Sequence, residues 1–427
     1  MLIHLPFFIT FVEIENLKNY ITMKKLIFTL VASVVALGAS AQHYYTDAKN
    51  SEMLHIGEPR TAQRVNFDIP QIKGYNVYKA DLHTHSIFSD AQVSISLRLA
   101  EAWRDGLDVY AVTEHAEYRP LEKDFVKWMK EYLPEDAEAI NYDVVWEAAD
   151  KRGIMVDLNL PYQLAEKAAK KYGITVIPGI EVTRSPKEIG HYNALFIKDA
   201  NKIYDADPEK AIRNARKQGA LIMHNHPGWT RKDLNMVEFE QRVYDKGLID
   251  GVEIMNGTEF YPKAIDRAKQ YNLFMASNTD IHQTTAELYG VNGEYRDMTL
   301  ILAKDKSLES LREALEAKRT LAFSFGTLAG DEELLRELFL ASVKITPTTS
   351  NNKYTYLLLE NNSSIDYVIS YSKSSNTQIL KRHSTILLRC NNTSTKALSI
   401  ENLWCGSEQK VQIDITQYLP TTETTTK

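Results

Sequence analysis

Cysteine is scarce in this sequence: only Cys390 and Cys405 occur, both late in the chain. Too few thiolates are present for a structural zinc knuckle. Export from the cell would make a disulfide between them conceivable. If STILLRC and KALSIENLWC pair as a hairpin around NNTST, however, strand rise separates the two thiols by roughly 30 Å. A bridge inside such a hairpin is therefore not expected.

The sequence also lacks an excess of basic residues. It has 50 lysines and arginines against 56 aspartates and glutamates, which gives a formal net charge of -6. This balance gives no reason to expect a surface that binds polyanions. We therefore expect no stable nucleic-acid partner, and the sequence leaves the oligomeric state open.

The sequence also lacks an apolar run of the length that a membrane-spanning helix usually has. Residues 23–41 combine a short basic region, MKK, with the apolar run LIFTLVASVVALG and the small-residue sequence ASA. The run is short for a span, and the combination is typical of a secretory signal peptide cleaved after Ala41. On this interpretation residues 1–41 are a leader whose true start is Met23, and the mature protein is periplasmic or secreted. A signal anchor that remains in place is the alternative. No cysteine follows the run, which argues against a lipid anchor.

Most of the chain consists of short apolar runs that alternate with amphipathic segments. Its length and its 44% hydrophobic content predict two folded units. From about residue 76, short apolar runs alternate with helical stretches about seven times. The runs are YNVYKADL, LDVYAVTEH, ITVIPGIEV, HYNALFI, GALIMHN, IDGVEIMN, LFMASNTD and MTLILA. Asp207 and Pro208 open one helix, and Gly106, Gly173 and Gly219 follow the last turns of three others. The pattern predicts an α/β fold whose parallel sheet is either closed into a β/α barrel or open and doubly wound.

Three segments depart from this rhythm. Residues 117–160 are longer than a simple connection, and their aromatic residues at helical spacing predict an inserted pair of helices that could cover a site. Residues 338–418 lose helical periodicity and predict a small antiparallel sheet or sandwich. The tail, 419–427, is expected to be disordered, and residues 42–75 form an N-terminal segment before the barrel.

The stretch DLHTHSIFSD concentrates metal-binding residue types directly after the first apolar run. On an extended segment His83 and His85 leave the same face, so the pair can hold one cation. A single HxH pair is weak evidence, because a histidine near a strand end can simply pack or cap. Further histidines and carboxylates at the ends of other apolar runs strengthen the evidence for a metal site.

The ends of parallel strands in a barrel meet at one mouth, so residues far apart in sequence converge there. We expect nine metal ligands at this mouth: His83, His85, Asp90, His115, Glu181, His191, His226, Asp280 and His282. Neutral imidazole mixed with carboxylate suits Zn, Mn or Fe better than Ca or Mg.

Taken in order, DLHTHSIFSD, AVTEH, GIEVT, GHYNALF, NHPGW and TDIH resemble the PHP (polymerase and histidinol phosphatase) family. The resemblance spans about residues 76–326. It implies a distorted (β/α)7 barrel, taken as residues 76–330, with two to three divalent metal ions (Zn, Mn or Fe). The first would be held by His83, His85, Glu181 and Asp280. Glu181 would bridge to a second ion on His191 and His226, and a third would lie among Asp90, His115 and His282. His224 has no place in the pattern and is expected to pack or to support a ligand.

The resemblance implies hydrolysis of a phosphate ester by a hydroxide that bridges two metals. A barrel followed by a small β domain is similar to some bacterial phosphodiesterases of the family, so a diester or cyclic phosphate is slightly favoured over a monoester. The expected partner is a small phosphate-ester substrate. We assign catalytic roles to Glu181, Arg184 and Asp280. The residues expected to contact substrate are Arg184, Asn225, Trp229 and Asn256.

Two other functions remain open at this point. A bridging hydroxide on such a barrel could instead attack a carbonyl, as in a metal-dependent amidohydrolase that acts on a C–N or lactone bond. Alternatively, the barrel could be inert and the β domain could bind a glycan or a partner. The candidate contacts for that role are Tyr354, Tyr356, Tyr367, Tyr371 and Trp404. Packing within the sheet is the more common role of aromatic residues in such strands.

Overall fold

A computed structural model describes residues 63–121, 157–185, 187–290, 294–371 and 377–420, together with Glu52. The predicted leader, most of the helical insertion and the last seven residues lie outside this set. The described residues from Arg64 onward form one compact unit. Among the described residues, no helix combines the length and the apolar character needed to cross a membrane.

The helices and strands in the described residues are numbered in chain order. Helices α1–α7 are Ile95–Arg104, Leu160–Ala169, Pro208–Lys217, Glu238–Asp245, Pro262–Tyr271, Leu308–Glu316 and Glu332–Ser342. Strands β1–β9 are Asn76–Asp81, Val109–Val112, Thr175–Val182, His191–Leu195, Leu221–Asn225, Gly251–Asn256, Glu259–Phe260, Phe274–Asn278 and Met298–Ala303. Strands β10–β18 are Thr320–Ser324, Thr327–Gly330, Val343–Ser350, Tyr354–Asn361, Tyr367–Ser370, Gln378–Leu380, Thr385–Asn391, Ala397–Trp404 and Lys410–Asp414.

The helix ends lie where the sequence predicts them. The Asp207 side chain accepts hydrogen bonds from the backbone N–H groups of Glu209 and Lys210 and so caps α3. Gly106 follows α1 with a φ of +91°, a conformation that glycine adopts without strain. A Cβ at that position would lie only 2.9 Å from the carbonyl oxygen of Val65. Glycine is therefore required there by both conformation and space.

One large sheet runs through most of this unit, in the order β15-β14-β17-β11-β10-β9-β1-β2-β3-β4-β5-β6-β7, with β8 pairing β6 and β18 pairing β17. Neighbours β1, β2 and β3 are parallel, as are β5, β6 and β8. Strand β4, however, is antiparallel to both β3 and β5. Only residues 183–190 connect β3 to β4, and so short a connection cannot make the crossover that parallel strands need.

No continuous backbone ladder joins β8 to β1 in the described residues, and only isolated contacts connect the two strands. Oδ1 of Asn278 on β8 accepts from the Leu82 N–H at 2.8 Å. An isolated bridge joins Thr84 to Ile281 just beyond the same two strands. The α/β fold class is confirmed, and the expected barrel is open along this seam.

The C-terminal strands form two groups. Strands β12, β13 and β16 make a separate three-stranded antiparallel sheet, which confirms the predicted small antiparallel sheet. Strands β14, β15, β17 and β18 extend the large sheet, because β17 pairs with β11 in parallel through Leu328–Leu403 and Ala329–Trp404. The hairpin considered for STILLRC and KALSIENLWC does not form, since β16 pairs with β13 and β17 lies in the other sheet. Cys390 and Cys405 are both buried and free.

Candidate metal centre

The predicted ligands lie where strands β1, β2, β3, β5 and β8 end and where β4 begins. His191 is the first residue of β4, so a parallel β4 would carry it to the opposite edge of the sheet. The antiparallel direction of β4 instead brings His191 level with Asn225, at the end of β5. The short connection between β3 and β4 therefore assembles the site.

All nine predicted ligands come together in overlapping groups. In each group, one possible ligand atom per residue lies within 4.8 Å of all the others. The groups are His85, Asp90, His115 and His282; His83, His85 and Glu181; His83, His226 and Asp280; and Glu181, His191 and His226. The group of Glu181, His191 and His226 has the same members as the second implied metal site. The group around Asp90 contains the third implied site together with His85. The residues of the first implied site are divided between two groups, because Asp280 groups with His83 and His226 rather than with His85 and Glu181.

Glu181 lies at the centre of these groups and is fully buried. Its Oε1 is 3.3 Å from Nε2 of His83 and 3.3 Å from Nδ1 of His191. Its Oε2 is 2.5 Å from Nδ1 of His115 and 3.6 Å from Nε2 of His85. One carboxylate therefore faces histidines of three groups, which is the arrangement a bridging ligand requires.

Asp280 connects two of the groups. Its Oδ1 is 3.2 Å from Nε2 of His83 and 3.1 Å from Nε2 of His85, and its Oδ2 is 3.6 Å from Nε2 of His226. Its backbone has a φ of +50°, and its N–H donates to the carbonyl of His83 at 2.9 Å. That bond holds the loop after β8 against the loop after β1.

Asp90 connects His115 and His282. Its Oδ2 is 3.4 Å from Nε2 of His115 and 3.2 Å from Nε2 of His282. Its Oδ1 is buried without a hydrogen-bond partner among the described residues, although Nδ1 of His85 lies 4.0 Å away. A buried carboxylate oxygen without a donor is costly, and a cation at this position would remove that cost.

The charge balance of the site favours a cation. Burial alone lowers the pKa of His115, but the carboxylates of Glu181 and Asp90 outweigh it and raise that pKa to about 10. Burial, together with the neighbouring His191, lowers the pKa of His226 well below its usual value and so disfavours its protonated form. Burial raises the pKa of Glu181, but His115 and the other neighbouring histidines lower it well below its usual range. The residues present thus fit divalent metal ions.

Two buried supporting residues were missed by the sequence interpretation. Glu253 on β6 lies 2.9 Å from Nδ1 of His83. Arg98 on α1 donates from Nε to the carbonyl of His85 at 2.7 Å and from Nη2 to the carbonyl of Ile281 at 2.9 Å. The available signal was a charged residue inside an apolar pattern, in IDGVEIMN for Glu253 and on the apolar face of α1 for Arg98.

The candidate substrate contacts differ in how accessible they are. Trp229 is 37% exposed, and its ring centroid lies 5.4 Å from that of His191 and 5.2 Å from that of His226. Arg184 is buried and forms an ion pair with Glu117. Its guanidinium also donates to the carbonyls of Thr183 at 3.1 Å and Asp205 at 2.7 Å.

The two asparagines contact carboxylates of the site. Asn225 donates to Oε1 of Glu181 at 2.8 Å, and Asn256 donates to Oε2 of Glu253 at 2.8 Å. His224 belongs to none of the metal-binding groups. Its Nδ1 lies 2.8 Å from the hydroxyl of Tyr244, in a buried network that also contains Glu240.

Two of the five aromatic residues considered for a binding role in the C-terminal strands pack against other aromatic residues. Tyr367 is fully buried against Phe339, with ring centroids 5.0 Å apart. Trp404 packs edge-on against Phe260, with centroids 5.1 Å apart. Tyr354, Tyr356 and Tyr371 are partly exposed.

Comparisons with known proteins agree with this geometry. The PHP domain family model matches residues 81–206. A crystal structure of a two-domain protein from Bacteroides vulgatus, which contains a predicted PHP-like metal-dependent phosphoesterase, is 32% identical with a TM-score of 0.71. That match covers 84% of this chain and 99% of the related chain.

Two more distant structures are also similar. A lesion-specific endonuclease from Pyrococcus furiosus is 14% identical with a TM-score of 0.33, over 71% of this chain and 64% of its own. An amidohydrolase from Chromobacterium violaceum, with bound sulfate and no metal, is 15% identical with a TM-score of 0.32. That match covers 49% of this chain and 89% of the amidohydrolase chain. A search of curated proteins found no match.

Proposed function

Because the chain belongs to the PHP family of metal-dependent phosphoesterases, we propose that it hydrolyses a small phosphate ester, with a diester or cyclic phosphate preferred to a monoester. The observation that carries this proposal is the position of Glu181. Its two carboxylate oxygens lie 3.3 Å from His83 and His191 on one side and 2.5 Å from His115 on the other. The preference for a diester rests on the similarity in domain arrangement to some bacterial phosphodiesterases of the family.

We propose that the site holds two to three divalent ions, with Zn, Mn or Fe as the candidates. The first would be held by His83, His85, Glu181 and Asp280, the second by Glu181, His191 and His226, and the third by Asp90, His115 and His282. Imidazole nitrogens mixed with carboxylate oxygens are the donor set that these metals prefer.

Divalent ions held on either side of the Glu181 carboxylate would lower the pKa of a bound water molecule and would polarise a phosphoryl group. Glu181 and Asp280 would fix the positions of the ions relative to one another, because each carboxylate faces histidines of more than one metal-binding group. Asn225 holds Oε1 of Glu181 in place with a hydrogen bond of 2.8 Å. Trp229 flanks His191 and His226 with an exposed ring, which supports its role as a substrate contact.

Export and the domain boundaries are part of the same proposal. The sequence of residues 23–41 supports a signal peptide and hence a periplasmic or secreted enzyme. Residues 76–330 carry every proposed ligand, so we assign the chemistry to this segment. Residues 338–418 would form the β-rich second domain.

The experiment that tests this function uses protein stripped of metal and then supplied with Mn, Zn or Fe. Matched aryl phosphate diester and monoester substrates, and a short oligonucleotide, are compared in the same assay. Metal-dependent cleavage with the small diester fastest supports the proposal. A faster monoester or oligonucleotide would overturn the substrate assignment, and cleavage of none of the three by metal-loaded protein would overturn the phosphoesterase function itself.

A further inference from the structure

Glu253 is a buried carboxylate in the middle of strand β6. Its side chain has no exposed surface, and the neighbouring residues from Gly251 to Met255 are buried as well. An ionised carboxylate in such a position is strongly destabilising unless hydrogen-bond donors surround it. The contacts of Glu253 therefore indicate why this strand contains a glutamate.

Four donors converge on the Glu253 carboxylate. Oε1 lies 2.9 Å from Nδ1 of His83 and accepts from Nδ2 of Asn278 at 2.9 Å. Oε2 accepts from the backbone N–H of His226 at 2.6 Å and from Nδ2 of Asn256 at 2.8 Å. Each oxygen thus has two neighbouring nitrogen atoms that can donate, which satisfies a carboxylate. A proton on either oxygen would have no acceptor to bind.

The direction of these hydrogen bonds is fixed by the surrounding structure. Oδ1 of Asn278 accepts from the backbone N–H of Leu82 at 2.8 Å, so its amide nitrogen must face Glu253. The backbone N–H of His226 can only donate. Glu253 is therefore an acceptor at both oxygens.

This arrangement sets the tautomer of His83. An acceptor at Nδ1 keeps a proton on that nitrogen, so Nε2 is the nitrogen that would bind a cation lying among the carboxylates. Nε2 is the nitrogen that faces Glu181 at 3.3 Å and Asp280 at 3.2 Å. Glu253 thus prepares His83 to bind a cation from the side on which the carboxylates lie.

The same carboxylate fixes His226 through its backbone. His226 has a φ of +25°, a conformation that is unusual for a residue with a side chain. The short bond from its N–H to Oε2 of Glu253 holds that conformation, and the His226 ring stacks on the His83 ring with centroids 5.6 Å apart. One buried side chain therefore fixes a histidine from each of two proposed metal positions.

We propose that Glu253 is a positioning residue that couples the two metals of the proposed pair, an inference that rests on the proposed function. At the first metal position Glu253 fixes the His83 ring by accepting from Nδ1. At the second it fixes the backbone of His226 by accepting from its N–H. None of the four donors belongs to the group formed by Asp90, His115 and His282. Loss of the Glu253 carboxylate should therefore weaken both positions of the pair together and leave the third unchanged.

The test is the variant Glu253→Gln, which has nearly the same shape but presents an amide NH₂ to two donors in either orientation. We expect roughly 10–100-fold weaker binding at the paired positions, the usual effect of losing an outer carboxylate. Titration calorimetry of metal-free protein with Zn or Mn measures the affinity. Metal content after dialysis against graded chelator, measured by mass spectrometry, shows whether the two ions are lost together.

Glu240→Gln is the matched control. Glu240 is equally buried and interacts with His224 and Arg231, outside the metal-binding groups. This variant should lower the melting temperature but keep the wild-type metal affinity. If Glu253→Gln cannot be purified in folded form, Glu253→Asp replaces it, and an affinity between wild type and the expected loss supports the proposal.

Wild-type metal affinity in a folded Glu253 variant would overturn the inference and leave the proposed function intact. So would loss of one ion of the pair without the other, because coupling requires both to weaken. Failure of the wild-type protein to bind divalent metal at all would instead contradict the proposed function.

Discussion

The side-chain nitrogen of Asn225 lies 2.8 Å from Oε1 of Glu181 and 2.9 Å from Oδ1 of Asn193. Nδ2 of Asn193 in turn donates to the carbonyl of Leu82 at 3.0 Å, so its Oδ1 is free to accept. This chain of donors runs from β1 through β4 and β5 to the central carboxylate. We therefore expect Asn225 to orient Glu181, and the direct contact with substrate that the sequence suggests stays a prediction.

Asn225→Ala should lower kcat at least 10-fold with little change in KM, because Glu181 loses the donor that orients it. Removing a hydrogen bond to a charged group should also lower the free energy of unfolding by about 1.5–3 kcal/mol. Steady-state kinetics and denaturant unfolding measure the two effects. A raised KM with unchanged kcat would instead assign Asn225 to substrate binding.

Trp229→Ala should raise KM for an aryl phosphate diester about 10-fold, because the exposed ring beside His191 and His226 provides apolar contact area for the substrate. Its partial exposure means that stability should change by no more than about 0.5 kcal/mol. Trp229→Phe serves as the control and should retain most of the wild-type KM. An unchanged KM in the alanine variant would contradict a contact with substrate.

Arg184 has both a structural partner and an expected role at the phosphate, and a pair of variants separates the two. Arg184→Met removes the buried ion pair with Glu117, whose carboxylate still accepts from the N–H of Thr183 at 2.8 Å, and should lower the free energy of unfolding by about 3 kcal/mol. The double variant Glu117→Gln/Arg184→Met removes both charges and should recover most of that loss.

If Arg184 also binds a phosphate oxygen, the double variant keeps a raised KM after its stability has been restored. We expect that result, because a planar guanidinium can hold phosphate in a way that methionine cannot replace. A wild-type KM in the stable double variant would assign Arg184 to a structural role.

The two cysteines should be unreactive in the folded protein. Burial raises the pKa of Cys390 from 9.0 to about 11, so at pH 8 its reactive thiolate is about 100-fold scarcer than in an unperturbed thiol. Burial also raises the pKa of Cys405. A thiol-reactive dye at pH 8 should label neither residue quickly in the native state and both in denaturant without reductant. No labelling in denaturant would indicate a disulfide.

Much of the site could be predicted because its signal is local. The apolar runs mark the strands, and histidines and carboxylates at their ends mark a common mouth whether or not the ring of strands is closed. The direction of β4 was also within reach, since the eight residues 183–190 are too few for a parallel crossover. If β4 were parallel to its neighbours, His191 at the start of the strand would lie far from the other predicted ligands.

Supporting contacts were harder to predict, because they depend on which side chains meet across the barrel. Glu253 is 170 residues from His83 in sequence, and no spacing rule connects them. The hydrogen bonds of Asn225 to Glu181 and of Asn256 to Glu253 were not foreseen for the same reason, and the predicted contacts of these two residues with substrate stay predictions. His224 and His226 differ by two positions, yet one lies in the network with Tyr244 and the other faces Asp280. Strand β5 ends at Asn225, and His226 follows it with a φ of +25°, so the side chain of His226 does not continue the alternation of the strand.

We propose that Glu181 joins the metal positions and that the site they form hydrolyses a phosphate ester. The most direct measurement compares wild type, Glu181→Gln and the buried control Glu240→Gln for metal content and for turnover of an aryl phosphate diester. We predict that Glu181→Gln loses bound metal and at least 1000-fold in kcat, on the order of 4 kcal/mol of transition-state stabilisation, while Glu240→Gln retains both metal and turnover. Wild-type metal content and turnover in Glu181→Gln would contradict the account.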